Sequence, residues 1–227
     1  WPTMVWQTYD YFFEPTAAYF GAKKACQPLH IQWNAHTRKV GIVNRSGADR
    51  ELTADVQLAD IHGKPFWSHT TSLRSHDDST IDCIDISEPK DVSGVYFILL
   101  TLRDANGVVR DKNTYLCSTN SGNFQQLHQL PRLQLHTSAT FSRQGDVHRA
   151  RVRLENQHAE PAMMIRLNLK GSDGEQILPV LYSDNYFHLM PGETREITLE
   201  WADEDARGSA PQVEISGLNV EFQVEKP

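Results

Sequence analysis

The sequence predicts an all-β protein, with two antiparallel β-sandwiches preceded by one short helix. Three observations carry this. From Leu29 onward apolar and polar residues alternate in short runs with a period of two, the pattern of strands with one face buried. Gly, Asn and Asp turn signals break those runs at intervals of roughly 8 to 15 residues, as in a sandwich. Only the first 25 residues depart from the pattern. A length of 227 residues suits two cores of about 90 to 100 residues each.

The elements follow in order. Trp1, Trp6, Tyr9, Tyr11, Phe12 and Phe13 crowd the start, and Glu14-Pro15-Thr16 leads into PTAAYFGAKKA. Pro15 suits a first helical position, Ala17, Ala18, Ala22 and Ala25 favour helix, and Lys23 and Lys24 complement the helix dipole at its end. Pro28 stops it. Such a helix beside an aromatic cluster cannot fold alone and needs a partner surface. LHIQWN, KVGIVNRS, ELTADVQLADIHGKP, FWSHTTSL, STIDCIDI and the hairpin GVYFILLTLRDANGVVRDKNTYLCS then read as strands. The hairpin turns at Asp104-Ala105-Asn106-Gly107. Thr119 to Asn123 is polar and turn-rich. A second set of about seven strands follows, with a turn at Ser172-Asp173-Gly174. The expected division is residues 1–27, a first sandwich at 28–119, a linker with a first turn at 120–132, and a second sandwich at 133–227.

Composition narrows the function classes. Net charge is −7 and the basic residues are scattered, so there is no footprint for nucleic acid. No apolar run approaches the length of a membrane span. Cys26, Cys83 and Cys117 have no ligand-like spacing, which disfavours both a disulfide framework and a zinc site. The opening WPTMVWQTYDYFFEP lacks a signal-peptide pattern and reads as a cut within a longer protein. Asn44-Arg45-Ser46 is a glycosylation sequon.

LYSDNYFHLMPGETREITLEW contains Ser183-Asp184-Asn185, a triplet shared with penicillin-binding enzymes. Ser87-Glu88-Pro89-Lys90 imitates the Ser-x-x-Lys element, but its proline disrupts the helix that element needs. Lys170-Gly171-Ser172 is a distant form of the third element and stands on the wrong side of the triplet. The reading is therefore a turn shaped by Asp184 and Asn185, with Tyr186 packing behind it. Ten histidines are dispersed, and His69, His76, Asp77 and Asp78 lack a ligand motif. Asp77, Asp78, Asp82 and Asp85 lack a calcium-loop spacing. No metal or cofactor is expected. Glycoside hydrolysis needs two facing carboxylates, and nothing pairs Asp10, Glu14, Asp60, Asp184 or Glu193, so no catalytic residue is assigned. Trp33, Trp67 and Trp201 are candidates for stacking on sugar rings. Packing is the commoner use of Trp, and Trp67, near a turn, is the best placed for exposure.

The order WP…W…DYFFEPTAAYFGAKKACQPLHIQWN, TYLCS, LPRLQL and LPVLYSDNYFHLMPGE resembles the C-terminal end of glycoside hydrolase family 2 enzymes. The nearest branch is that of β-mannosidases, exo-β-D-glucosaminidases and mannosylglycoprotein endo-β-mannosidases. The resemblance covers essentially the whole chain; GAKKACQPLHIQWN and LYSDNYFHLMPGE are its more specific motifs. It implies that residues 1–25 are the end of a (β/α)8 barrel and its closing helix, with immunoglobulin-like domains after it. Both catalytic glutamates would lie upstream, and Trp1 would stand beside the pocket. It further implies a non-catalytic accessory region whose partner is that barrel, in an extracytoplasmic or lysosome-like setting. The alternatives are a carbohydrate-binding module acting through exposed tryptophans on a β-linked oligosaccharide, and an independent interaction module.

Overall fold

The computed structural model describes residues 7–86, 92, 94–120 and 122–227. They form an all-β fold with one short α-helix, in two compact units. One unit is Lys23–Leu130; the other joins the described residues before Lys23 to Pro131–Pro227. The sequence sets residues 1–27 apart as a segment, whereas here most of them group with the C-terminal unit. Trp1 and Ser87-Glu88-Pro89-Lys90 lie outside the described residues.

Helix α1 spans Ala17–Ala25. Thr16 starts it by accepting the Tyr19 N–H at 3.1 Å, and the Gln27 N–H closes on Lys24 O at 3.1 Å before Pro28 stops the run. Its single buried residue is Phe20, whose ring meets Tyr182 and Tyr186 at 6.4 and 6.0 Å. Tyr19 packs partly buried beside it, against the same core and the Tyr9 ring at 4.7 Å, so two adjacent aromatics anchor the helix.

The unit Lys23–Leu130 has two antiparallel sheets. One runs β1 (Leu29–Asn34), β2 (Lys39–Asn44), β5 (Ser79–Asp85); the other runs β4 (Pro65–Ser75), β3 (Arg50–Asp60), β6 (Val95–Asp104), β7 (Val109–Ser118). Alternation does the sorting: Leu52, Ala54, Val56 and Leu58 of β3 meet Ile98, Leu100 and Leu102 of β6 and Ile31, Val40 and Ile42 of the facing sheet in one cluster. The expected hairpin is present. Gly107 N–H closes on Asp104 O at 2.9 Å, and Gly107 takes φ 77°, a conformation that glycine tolerates without strain.

The C-terminal unit also has two antiparallel sheets. One runs β11 (Leu181–Tyr182), β13 (Thr194–Ala202), β9 (Val147–Glu155), β8 (His136–Gln144); the other runs β12 (Phe187–Leu189), β10 (Ala162–Gly171), β14 (Pro211–Ser216), β15 (Gln223–Glu225). Val152 and Leu154, Ile165, Leu167 and Leu169, Ile197 and Leu199, Val213 and Ile215 fill one core. The Ser172-Asp173-Gly174 turn forms, with Gly174 at φ 88°. The chain beyond it returns along β10 through the Lys170–Gln176 bridge and the Ile177 N–H to Leu169 O bond at 3.1 Å, a short pairing and not a long hairpin.

Four of the buried polar residues are asparagines: Asn44, Asn156, Asn185 and Asn219. Each satisfies backbone groups that no ladder reaches. Asn219 accepts the Met163 N–H at 2.8 Å and donates to Pro131 O and Pro161 O. Asn156 donates to Glu160 O and Leu189 O at 2.8 and 2.9 Å. Asn44 is the sequon asparagine, and its amide lies against the carbonyls of Ala48, Ser75 and His76 at 3.0, 3.2 and 3.1 Å. A glycan on that nitrogen would break those bonds and has no room in a fully buried site. The folded protein secreted from a glycosylating host should therefore have its unmodified mass at the Asn44 peptide. A hexosamine-bearing peptide at that position would contradict the burial.

Candidate functional site

The Ser183-Asp184-Asn185 segment is a structural joint. Ser183 pairs with β13, its N–H donating to Thr198 O at 2.8 Å and its Oγ accepting the Thr198 N–H at 2.9 Å. Asp184 Oδ1 accepts the Asn185 N–H and its Oδ2 meets Arg195 at 2.9 Å. Asn185, 4% exposed, accepts the Leu167 N–H at 2.8 Å and donates to Leu167 O at 2.9 Å. Tyr186 turns the chain at φ 56° and packs against the core. Through Asn185 the segment is tied to β10, and through Ser183 and Asp184 to β13, so the triplet serves as a joint between the two strands.

The carboxylates behave in the same way. Asp10 Oδ1 accepts the N–H groups of Phe12 and Glu14 at 2.8 and 2.9 Å. Asp60 accepts those of His62 and Lys64, and Glu193 Oε2 accepts that of Met190 at 3.0 Å. Glu14 pairs with Arg166. Around the 74–79 turn, Asp49 takes the Asp77 N–H, His76 Nδ1 and Arg74; the backbone N–H first, then His76 and Arg74, hold its carboxyl below the usual range. Asp77 accepts the Gly47 N–H. Among the described residues no group of three or more His, Cys, Asp or Glu is placed to hold a metal ion. No helix among them is long and apolar enough to cross a membrane.

The three candidate tryptophans differ in exposure. Trp201 is 4% exposed, with His148 stacked on it at 5.4 Å and 14°, so it offers no face to a sugar. That expectation is corrected: Trp201 follows Ile197 and Leu199 on the inward face of β13. Trp33 is partly buried against Tyr115 at 5.6 Å and serves packing. Trp67 is 36% exposed, and His69 stacks on it at 6.1 Å and 16°.

GAKKACQPLHIQWN also acquires a physical role. Asp111 of β7, buried, accepts the Ile31 N–H at 2.9 Å and lies 2.7 Å from His30 Nδ1, with Lys24 Nζ at 3.7 Å. One carboxylate thus gathers the end of α1 and the start of β1.

The concave site that sequence reasoning missed is in the C-terminal unit, an open groove of about 1240 Å³. Its floor is Arg166, Asn168 and Lys170, which alternate along β10 with the buried Ile165, Leu167 and Leu169. One wall is the 174–179 segment. The other is the 10–14 loop, which the two Asp10 hydrogen bonds and a Phe13 φ of 66° hold shut. The loop displays Tyr11, Phe12 and Phe13 at 75%, 56% and 64% exposure. Beneath them Glu14 holds Arg166 and accepts from Gln176 Nε2 at 3.1 Å, and Gln176 also donates to Asn168 Oδ1 at 3.1 Å. The signal for this site was in DYFFE: an Asp four residues before Glu, spanning three aromatics.

Comparison with known proteins places these features in context. Residues 113–220 match the model of the exo-β-D-glucosaminidase immunoglobulin-fold domain. The chain is 29% identical to an exo-β-D-glucosaminidase of Streptomyces avermitilis, over 98% of this chain and 27% of that enzyme. It is 32% identical to one of Arthroderma benhamiae, over 97% and 26%. The crystal structure of an Amycolatopsis orientalis exo-chitosanase superposes with a TM-score of 0.91 at 27% identity, covering all of this chain and 30% of that one. The chain is homologous to exo-β-D-glucosaminidases and carries an immunoglobulin-like domain. It spans about a quarter to a third of the length of these relatives, a share that corresponds to a non-catalytic accessory portion of such an enzyme.

Proposed function

We propose that the chain is a C-terminal accessory region of a retaining glycoside hydrolase of family 2, of exo-β-glucosaminidase or β-mannosidase type. Each compact unit is read as one immunoglobulin-like sandwich, and residues 7–25 as the last loop and helix of the catalytic (β/α)8 barrel. The observation that carries this reading is the match itself, over 98% of this chain but 27% of the Streptomyces avermitilis relative. The carboxylate arrangement supports it, since each candidate acid is engaged by a hydrogen-bond donor. The parent enzyme hydrolyses a β-glycosidic bond through a covalent glycosyl-enzyme intermediate, using two carboxylates supplied by its barrel. This region stabilises that barrel. An extracytoplasmic location suits the parent, because one relative is named as an exo-chitosanase and polymeric substrates are met outside the cytoplasm. A binding module built on Trp33, Trp67 and Trp201 has little support, since Trp201 is buried and Trp33 packs against Tyr115.

The test is a graft. The Streptomyces avermitilis enzyme truncated before its homologous region should lose thermal stability and soluble yield. Fusing this chain in place of that region should restore folding and activity. The 227-residue chain alone should not hydrolyse nitrophenyl β-mannoside or β-glucosaminide. A truncated enzyme that melts and turns over like the whole one would remove the stabilising role. Turnover by the isolated chain above background would remove the non-catalytic one.

A further inference from the structure

We propose that the free edge of β4 is a self-pairing surface, to which a second copy of this chain adds its own β4 antiparallel, with Thr70 on the two-fold axis. The inference concerns the Lys23–Leu130 unit and is independent of the accessory reading.

The edge is open along its length. Among the described residues β4 has one strand neighbour, β3, so it ends its sheet and turns a row of backbone N–H and C=O groups outward. The register assigns its faces. Leu58, Val56, Ala54 and Leu52, all buried, stand opposite Trp67, His69, Thr71 and Leu73, and directly opposed residues share a face. Trp67 and His69 therefore hold core-side positions, yet both are exposed. The facing sheet has three strands against four and leaves this end uncovered, while Leu73, further along, packs on the core.

Sheet edges are ordinarily blunted by charge, proline or a bulge. β4 carries these devices at its ends. Pro65 and a bulge at Phe66 mark one end, and Arg74, paired with Asp49, marks the other. Between them WSHTTSL, residues 67–73, holds no Lys, Arg, Asp or Glu. Two copies can align there without opposing like charges.

That stretch is also complementary to its own reverse. With Thr70 on the axis, Thr70 meets its equivalent, His69 meets Thr71, Ser68 meets Ser72 and Trp67 meets Leu73. Hydroxyls face hydroxyls on the outer side, and the largest apolar pair falls on the core side; both kinds of cross-strand pair are favourable. Hydroxyl pairing already operates between β3 and β4, where Thr53 Oγ1 and Ser72 Oγ lie 3.0 Å apart and Thr70 donates to Asp55 at 2.9 Å. Trp67, stacked by His69, gains Leu73 beside it. Sliding the pair by two residues one way sets His69 against itself and draws Pro65 into the seam; sliding it the other way draws in Arg74. The contact is isologous, so it closes at two copies.

The experiment is sedimentation equilibrium of the 227-residue protein at pH 7.5, from about 1 to 100 μM, in about 0.3 M salt to screen the charge of −7 on each copy. A seam this short lies at the small end of specific interfaces, so a dimer with a Kd on the order of 10 μM is expected. Trp67→Ser should raise that Kd at least about ten-fold. Thr70→Lys places like charges opposite each other at the axis and should abolish the dimer, while Asp55 remains a partner for the new side chain within each copy. The melting temperature of both variants at 1 μM should match that of the parent. Crosslinking tests the register. Opposed Cα atoms in an antiparallel pair lie about 4.5–5.5 Å apart, within disulfide reach. In a Cys26→Ser background, which removes an exposed thiol, Thr70→Cys should form a disulfide-linked dimer under oxidised glutathione at least about ten-fold faster than Ser68→Cys, whose equivalents stand roughly 13 Å apart along the seam. A single-chain mass at 100 μM overturns the proposal and leaves the edge to a strand of another protein. A dimer that persists in Thr70→Lys, or equal crosslinking at positions 68 and 70, overturns it as well. Should Thr70→Lys fail to fold, the crosslinking pair decides.

Discussion

Asn185→Ala is expected to destabilise the C-terminal unit by about 3 kcal/mol, since it strands a buried backbone N–H and C=O at once. Leu167 is almost fully buried and lies opposite Ile215 of β14. Its own N–H and C=O both go to the Asn185 side chain, at 2.8 and 2.9 Å, on the side of β10 where β12 gives out. The register of β12 reaches only Ala162 and Ile165. Beyond that point a side-chain amide takes the place of the missing strand. Alanine supplies neither partner, and the site is too tightly enclosed for water to replace both. For a unit of this size the loss amounts to a fall in melting temperature of more than about 10 °C. Asn185→Asp should be nearly as damaging, because a carboxylate accepts from Leu167 N but turns a second negative oxygen towards Leu167 O. A melting temperature within about 3 °C of the parent for Asn185→Ala would show that the two bonds are not needed.

That joint marks how far the sequence could be read. Asp-Asn after a strand announces a turn, and a turn is what forms; nothing in the letters says that the amide will reach Leu167 on β10. Local pattern encodes local geometry, while a bond across 18 residues depends on where packing sets two elements. The groove was hidden for the same reason. Its floor alternates along β10 and looks like any solvated strand face, and its aromatic wall arrives from the far end of the chain. Trp201 is the opposite case. Its period with Ile197 and Leu199 placed it inward, and that alternation was a better guide than the residue type. The helix and the Asp104–Gly107 turn were legible because each is closed by hydrogen bonds within a few residues of itself. Asn44 shows how motif and environment separate: the sequon is intact as letters, yet its amide is spent on three carbonyls.

Acid should destabilise the protein in two windows, and His188 sets the upper one. The ring is partly buried beside β10, where its Nδ1 accepts the Met164 N–H at 3.1 Å at a bulge in which Met164 takes φ 50°. Burial first, and the nearby Arg195 second, push its pKa from the ordinary 6.5 down to about 4. Protonation also requires a hydrogen on the nitrogen that is already accepting one. In the unfolded chain the imidazole takes up its proton as pH falls through 6.5, and the folded protein refuses it until about 4. The unfolded state binds more protons between those values, so stability is lost as pH falls through that window. The full shift corresponds to ~3 kcal/mol, and partial solvent contact reduces it to on the order of 2 kcal/mol. The carboxylates of Asp49, Asp104, Glu155 and Asp203 have lowered pKa values of their own, and their contribution is lost as pH falls through and below the ordinary carboxylate range. Replacing His188 by Gln preserves an acceptor for Met164 and removes the titration. Urea unfolding at pH 7, 5.5 and 4.5 should therefore show a steep decline for the parent and a shallower one for His188→Gln. Parallel declines would assign the upper window to another group and leave the ring as a packing element only.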